Sequence, residues 1–200
     1  MSAELAATAR VVAVDREAAM LTATRERAGA GVLCLQAEAT ALPLADGSID
    51  AAAVVQVLEY VPDLPRALAE LRRVLRPGGR AVLVDTDWRS CVWHSDDRDR
   101  TDRVLRLWEE HFVHPHLPAA LPGLARAAGF ADVAVHALPL VEVDTTSDTY
   151  SRGMLSTIAR FVARRAPELA DAWRTDLRGQ AERGTWWFGL TRTATVVTRG

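Results

Sequence analysis

Three polar positions stand at the ends of short apolar runs, and their types suit recognition of a nucleoside. Asp15 closes the run in RVVAVDREAAML. A carboxylate there can accept both hydroxyl hydrogens of a ribose, or it can cap the helix that follows. Glu38 and Ala39 stand just past the next run, in QAEATALPLADGSID, where a carboxylate can take an adenine amino hydrogen and Leu42 and Pro43 can cover the ring. Gln56, followed by Leu58, Glu59 and Tyr60, ends a third run, and a polar side chain inside an apolar stretch requires a partner, from a ligand or from the backbone.

Further on, DTDWRSCVWHSDD offers Asp87, Trp88, Trp93 and His94, the last a candidate general base. His111, His114 and His116 resemble metal ligands at first sight. Pro115 separates two of them and no carboxylate or cysteine stands at ligand spacing, so the sequence gives no metal. Trp186 and Trp187 can flank a cationic group, although aromatic residues on a closing strand more often belong to a core.

These positions need elements to hold them. Val11–Val14, Val32–Leu35, Ala51–Leu58 and Ala81–Val84 are almost wholly apolar and lack the alternation of half-exposed strands. Strands covered on both faces, as in parallel sheets, read this way. In DLPRALAELRRVLRPGG, Leu64, Leu68, Leu71 and Leu75 recur at helical spacing, Asp63 caps the start and Pro77-Gly78-Gly79 provides the stop. Strand, capped helix, stop and strand form a crossover unit, so the expected fold class is α/β, a doubly wound and mostly parallel sheet. Helices are expected over Arg98–Phe112, Pro118–Ala128, Thr149–Arg165 and Pro167–Arg183, with strands in Ala131–Val143 and in the closing TWWFGLTRTATVV. The pair of helices before the last strand is an insertion expected to cover an acceptor pocket together with Asp87–His94. Nothing divides residues 1–200, read as a single domain with a cofactor-binding half (1–90) and an acceptor-side half (91–200).

Composition narrows the chemistry. All 24 basic residues are arginine, which removes Schiff-base and P-loop lysines. A formal net charge of -2 gives no field to attract nucleic acid or anionic lipid, so a small-molecule partner is expected. No apolar stretch approaches the ~18 residues of a membrane span, and MSAELAATAR has no secretory pattern, which suggests the cytoplasm. Cys34 and Cys91 are read as free thiols.

The segments VVAVDREAAML, AEATALPLADGSIDAAAVVQVLEYVPD and LPRALAELRRVLRPGGRAVLVD occur in the order of consecutive motifs in class I S-adenosylmethionine-dependent methyltransferases, and the chain resembles that family, especially its ubiquinone-biosynthesis-type members. The resemblance covers Glu4 to about Asp87, with looser likeness in AAGFADVAV and WWFGLTRTATVV. It implies S-adenosyl-L-methionine as cofactor, with Asp15 on the ribose, Glu38 and Ala39 at the adenine and Gln56 near the methionine portion. It also implies methyl transfer to an oxygen, nitrogen or carbon of a small metabolite. One departure is plain: the family's first strand and acidic-x-Gly-x-Gly-x-Gly loop have no counterpart here. Gly29 and Gly31 precede a strand where the motif must follow one, and read as a turn. That implies a sheet lacking its central strand, between those ending in Asp15 and Gln56, and a Met1 lying inside the first helix of a longer protein. A truncated, non-catalytic chain that binds a partner and no cofactor is the alternative. A nicotinamide-dependent dehydrogenase shares only the acidic strand end.

Overall fold

The computed structural model describes residues 9–28, 31–145 and 149–200. Residues 1–8 and Gly29 therefore lie outside the described residues. Strand β1 (Val11–Asp15), helix α1 (Ala18–Ala28) and β2 (Val32–Gln36) come first, followed by β3 (Ile49–Val55), α2 (Leu64–Val74) and β4 (Leu75–Thr86). The second half holds β5 (Val92–Trp93), α3 (Arg98–Glu109), α4 (Leu117–Ala127), β6 (Phe130–Glu142), α5 (Tyr150–Ala163), α6 (Pro167–Glu182) and β7 (Phe188–Arg199). Each run expected as a helix or strand becomes one, with ends shifted by a few residues.

The strands form two sheets. β1 pairs with β2 in parallel, Val11 opposite Val32 through Asp15 opposite Gln36. The other sheet runs β3-β4-β7-β5, with β6 also on β7. Within it β3 and β4 are parallel, and β7 runs against β4, β5 and β6. Among the described residues no strand lies between β1 and β3, as the sequence implies, and each keeps one unpaired edge. Burial follows from this. Apolar runs predict strands covered on both faces, yet all of β1 is only half-buried, Leu33 on β2 is 58% exposed and Val55 on β3 is 39% exposed. β4 and β7, with neighbours on both sides, bury Leu83, Asp85, Val197 and Thr195 completely.

Helix α2 shows how local chemistry sets the elements. Asp63 accepts a hydrogen bond from the Arg66 amide at 3.0 Å, and Pro65 occupies the first turn. Leu64, Leu68 and Leu71 are buried on one face. The helix ends at Val74, earlier than Pro77-Gly78-Gly79 suggests, and those residues lie in the irregular start of β4. Gly78 has φ 72°, and a Cβ on Gly79 would come to 2.8 Å from the Arg76 carbonyl oxygen, so torsion favours glycine at the first position and space requires it at the second.

Two cores result. One joins α2 and α4 to β4 and β7 through Leu68, Leu83, Leu121, Ala125 and Val197. The other is aromatic and lies under α3, α5 and α6, with five of the six tryptophans in it: Trp88, Trp93, Trp108, Trp173 and Trp186. Trp93 and Trp173 stack at 5.0 Å with planes 3° apart. Trp186 belongs to the core as its type suggests, but Trp187 does not: it precedes β7, is 40% exposed, and its ring crowds Gly189.

Trp173 is fully buried and bridges α6 to β5. Trp173→Ala is expected to cost about 3–5 kcal/mol through lost packing and the cavity left behind. Urea unfolding checks this, and a loss below about 1 kcal/mol would show that the aromatic core is not a rigid support.

Candidate functional site

In an open α/β sheet the side chains beyond the carboxyl ends of parallel strands face the ligand crevice. At the end of β1, Asp15 accepts the Glu17 amide through Oδ1 at 2.8 Å, a turn that leads into α1 and does not cap one of the helix's own amides. Its Oδ2 has no hydrogen bond among the described residues and remains able to accept from a ligand. The Ala37 amide bonds the Asp15 carbonyl at 3.1 Å, which sets Glu38 beside Asp15 at the same end of the small sheet. Glu38 is exposed, and Ala39 packs partly against the α2 core.

The loop after Glu38 is held by ion pairing. Arg73 on α2 bonds Glu70 at 2.8 Å and Asp46 at 2.6 Å, and also donates to the carbonyls of Leu42 and Leu44. Glu70 in turn accepts the Leu42 amide at 2.9 Å. Hydrogen bonding from Arg73 holds the Glu70 carboxyl down at about 2. Leu42 is therefore fixed half-buried with Pro43 exposed beside it, an apolar surface next to Glu38.

Gln56 closes β3 in the left-handed region, with φ 55°, a conformation rare outside glycine. Its side-chain amide donates to Thr86 at 3.0 Å and to Glu59 at 3.2 Å. The partner that a polar group in an apolar run requires is thus the protein itself. Glu59, 1% exposed in the turn Leu58–Tyr60, also accepts the Trp88 indole N–H at 2.9 Å, and its carbonyl accepts the amides of Val113 and His114. Burial pushes the Glu59 carboxyl up to about 7, opposed by the Trp88 hydrogen bond. Asp85, near the end of β4, is fully buried; its oxygens have no partner at normal hydrogen-bond geometry, though the Glu59 amide lies close enough to favour the charged form. Burial pushes Asp85 up to about 8, and the charge of Glu59 adds to the rise. The sequence signal for Glu59 was its place beside Gln56; Asp85 gave none beyond ending a run.

The structure scatters the other candidates. Trp88 and Trp93 are buried core residues and do not line an open pocket. His94 is exposed, bonded through its amide to the Trp187 carbonyl, and no carboxylate among the described residues orients its ring. The three histidines between residues 111 and 116 have separate surroundings. His111 stacks on Trp108, His114 bonds the Val61 carbonyl at 3.1 Å, and His116 lies between Asp87 (3.2 Å) and Glu109 (3.5 Å). Among the described residues no three potential ligands are grouped to hold a metal ion, and both cysteines are free. No described helix is long and apolar enough to cross a membrane.

The adenosine half of the implied cofactor fits these residues: an unpaired carboxylate oxygen on Asp15, an exposed Glu38, and Leu42 with Pro43 beside it. For the amino-acid half the described residues provide no glycine cradle.

Residues 1–83 match the family model described as a methyltransferase domain. That part of the chain is thus similar in sequence to methyltransferase domains, and the described residues share the fold of solved methyltransferases. The chain is 38% identical over 117 residues to the ubiquinone/menaquinone biosynthesis C-methyltransferase UbiE of Methylobacterium nodulans, covering 56% of this chain and 43% of that protein. A protein assigned as a methyltransferase from Bacillus halodurans shares the fold, with TM-score 0.64, 16% identity, and coverage of 94% of this chain and 82% of that one. Phosphoethanolamine N-methyltransferase 2 of Haemonchus contortus, solved with S-adenosyl-L-methionine, aligns with TM-score 0.53 and 13% identity over 95% of this chain and 43% of its own. The chain spans less than half the length of the curated relatives it matches.

The two buried carboxyls predict a pH dependence. Their folded pKa values, about 7 and 8, lie above the ordinary 4.5 and 3.8, so the native state binds more protons than the unfolded chain between these limits. Stability is then full at about pH 4 and falls as pH rises through 7 to 8. Asp85→Asn removes one charge and should raise stability at pH 8 by roughly 1–3 kcal/mol more than at pH 4. Unfolding midpoints at the two values check this, and an equal effect at both would contradict it.

Proposed function

We propose that the chain carries out S-adenosylmethionine-dependent methyl transfer to an oxygen, nitrogen or carbon atom of a small metabolite. The observation that carries this reading is the match of residues 1–83 to the methyltransferase domain, with its motif residues standing at the ends of β1, β2 and β3. In this reading Asp15 Oδ2 accepts from the ribose, Glu38 takes the adenine amino hydrogen beside Ala39, and Leu42 with Pro43 covers the ring. Gln56, held by Thr86 and Glu59, presents its strained backbone toward the methionine portion.

When bound, the cofactor supplies a methyl group already activated by a positive sulfur. The protein's own task is then to position the acceptor and to exclude water, with a base needed only for an acceptor that must lose a proton. For that proton His94 is the exposed candidate. The partner is a small molecule. Likeness to quinone methyltransferases over the first half supports a carbon acceptor in a ring compound as the first class to assay.

Asp15→Ala should weaken adenosylmethionine binding about 10- to 100-fold, the range expected for hydrogen bonds to a charged acceptor, with little change in stability. Calorimetry reads this, and unchanged affinity would remove Asp15 from the site. Placing a strand and glycine loop from a relative ahead of Met1 should increase cofactor-dependent thermal stabilisation. Equal stabilisation of both chains would show that these residues need no such cradle.

A further inference from the structure

Helices α5 and α6 form a hairpin joined by three residues, and between them lies a half-open groove of about 550 Å³. That is within the size of small-molecule sites. Arg152 and Arg160 on α5, and Arg174 and Arg178 on α6, stand around it with one acidic residue, Glu182. The spacing explains the grouping: residues four or eight apart on a helix share a face, and the hairpin turns the two faces toward each other. Small side chains, Ala159, Ala163 and Ala181, leave the room between them, and Leu155 and Trp186 add apolar surface.

The charge is unbalanced. Arg174 is 3.5 Å from Asp171 in an exposed pair, and Arg152 donates to the Thr145 carbonyl. Neither Arg160 nor Arg178 has an ion pair among the described residues. Trp186 also lines the groove and is 6% exposed. In a protein with a net charge of -2, a groove with four guanidinium groups and one carboxylate is a local exception.

We propose that this groove is a binding site for a small apolar organic anion, a carboxylate, sulfonate or phosphate on a hydrophobic body. The arginines receive the anionic oxygens by charge-assisted hydrogen bonds, and Leu155, the alanines and the Trp186 ring pack the body. None of the strand-end residues Asp15, Glu38 or Gln56 lines the groove, so the proposal stands apart from cofactor binding.

The test compares 1-anilinonaphthalene-8-sulfonate with N-phenyl-1-naphthylamine, the same ring system without the sulfonate, by fluorescence titration of the 200-residue chain. The sulfonate should bind at one saturable site, more weakly as sodium chloride rises. Arg160→Gln and Arg178→Gln, at exposed positions, should each weaken it about ten-fold while leaving the neutral probe unchanged. The proposal is overturned if the glutamine variants bind the sulfonate as the parent does, or if both probes lose affinity equally. It is also overturned if phosphatidylglycerol vesicles bind through Arg160 and Arg178 and the soluble anion does not, since the groove would then be a membrane contact.

Discussion

The buried carboxyl of Glu59 is the junction on which the strand ends depend. Its side chain receives Gln56 from the end of β3 and Trp88 from the turn after β4, and its carbonyl receives two amides from the loop before α4. Four hydrogen bonds thus tie three separate segments to one residue that is almost wholly out of water. Such a group is tolerable because it is satisfied and because burial favours its neutral form. Asp85 has no such satisfaction, and proximity to Glu59 makes it the more strained of the two. The crevice end of β4 is therefore a place where polar groups are held against their solvation preference, a condition often found where chemistry is done.

Much of this was legible from residue types. The apolar runs gave β1 to β4, the leucine spacing and Asp63 gave α2, and the order of motifs gave the family likeness. Gln56 announced itself as a polar residue in an apolar run. Its partner Thr86 is thirty residues away, and only the β3–β4 register brings the two together. The same limit hid the arginine groove. An eight-residue spacing in α5 and a four-residue spacing in α6 are present, but two rows become one site only when the hairpin closes.

Where the sequence misled, burial was the reason. An apolar run reports that a strand avoids water somewhere, not that it has neighbours on both sides, so β1, β2 and β3 are more exposed than their composition suggests. Trp88 and Trp93 follow Asp87 in a polar segment and suggested pocket walls. The aromatic core under α3, α5 and α6 absorbs them instead, because three amphipathic helices with no sheet of their own need large side chains to fill the space beneath them. His94 remains outside that core. The helical insertion thus fills its core with aromatic side chains while resting on Phe188 and Leu190 of β7, the strand whose Val197 serves the α2–α4 core.

The missing ladder between β1 and β3 also divides the molecule's cooperativity. Inside either sheet, opening one strand exposes the backbone of the next, so neighbouring strands open together. From β1 to β3 no backbone hydrogen bond crosses among the described residues, and the link is the clamped loop from Ala37 to Ser48, held chiefly through Arg73 and Glu70. The β1–α1–β2 unit can therefore open as a separate foldon while the larger sheet stays closed. In amide exchange, this seam would appear as a boundary between two protection classes, with the Asp15 end of the crevice on the less protected side.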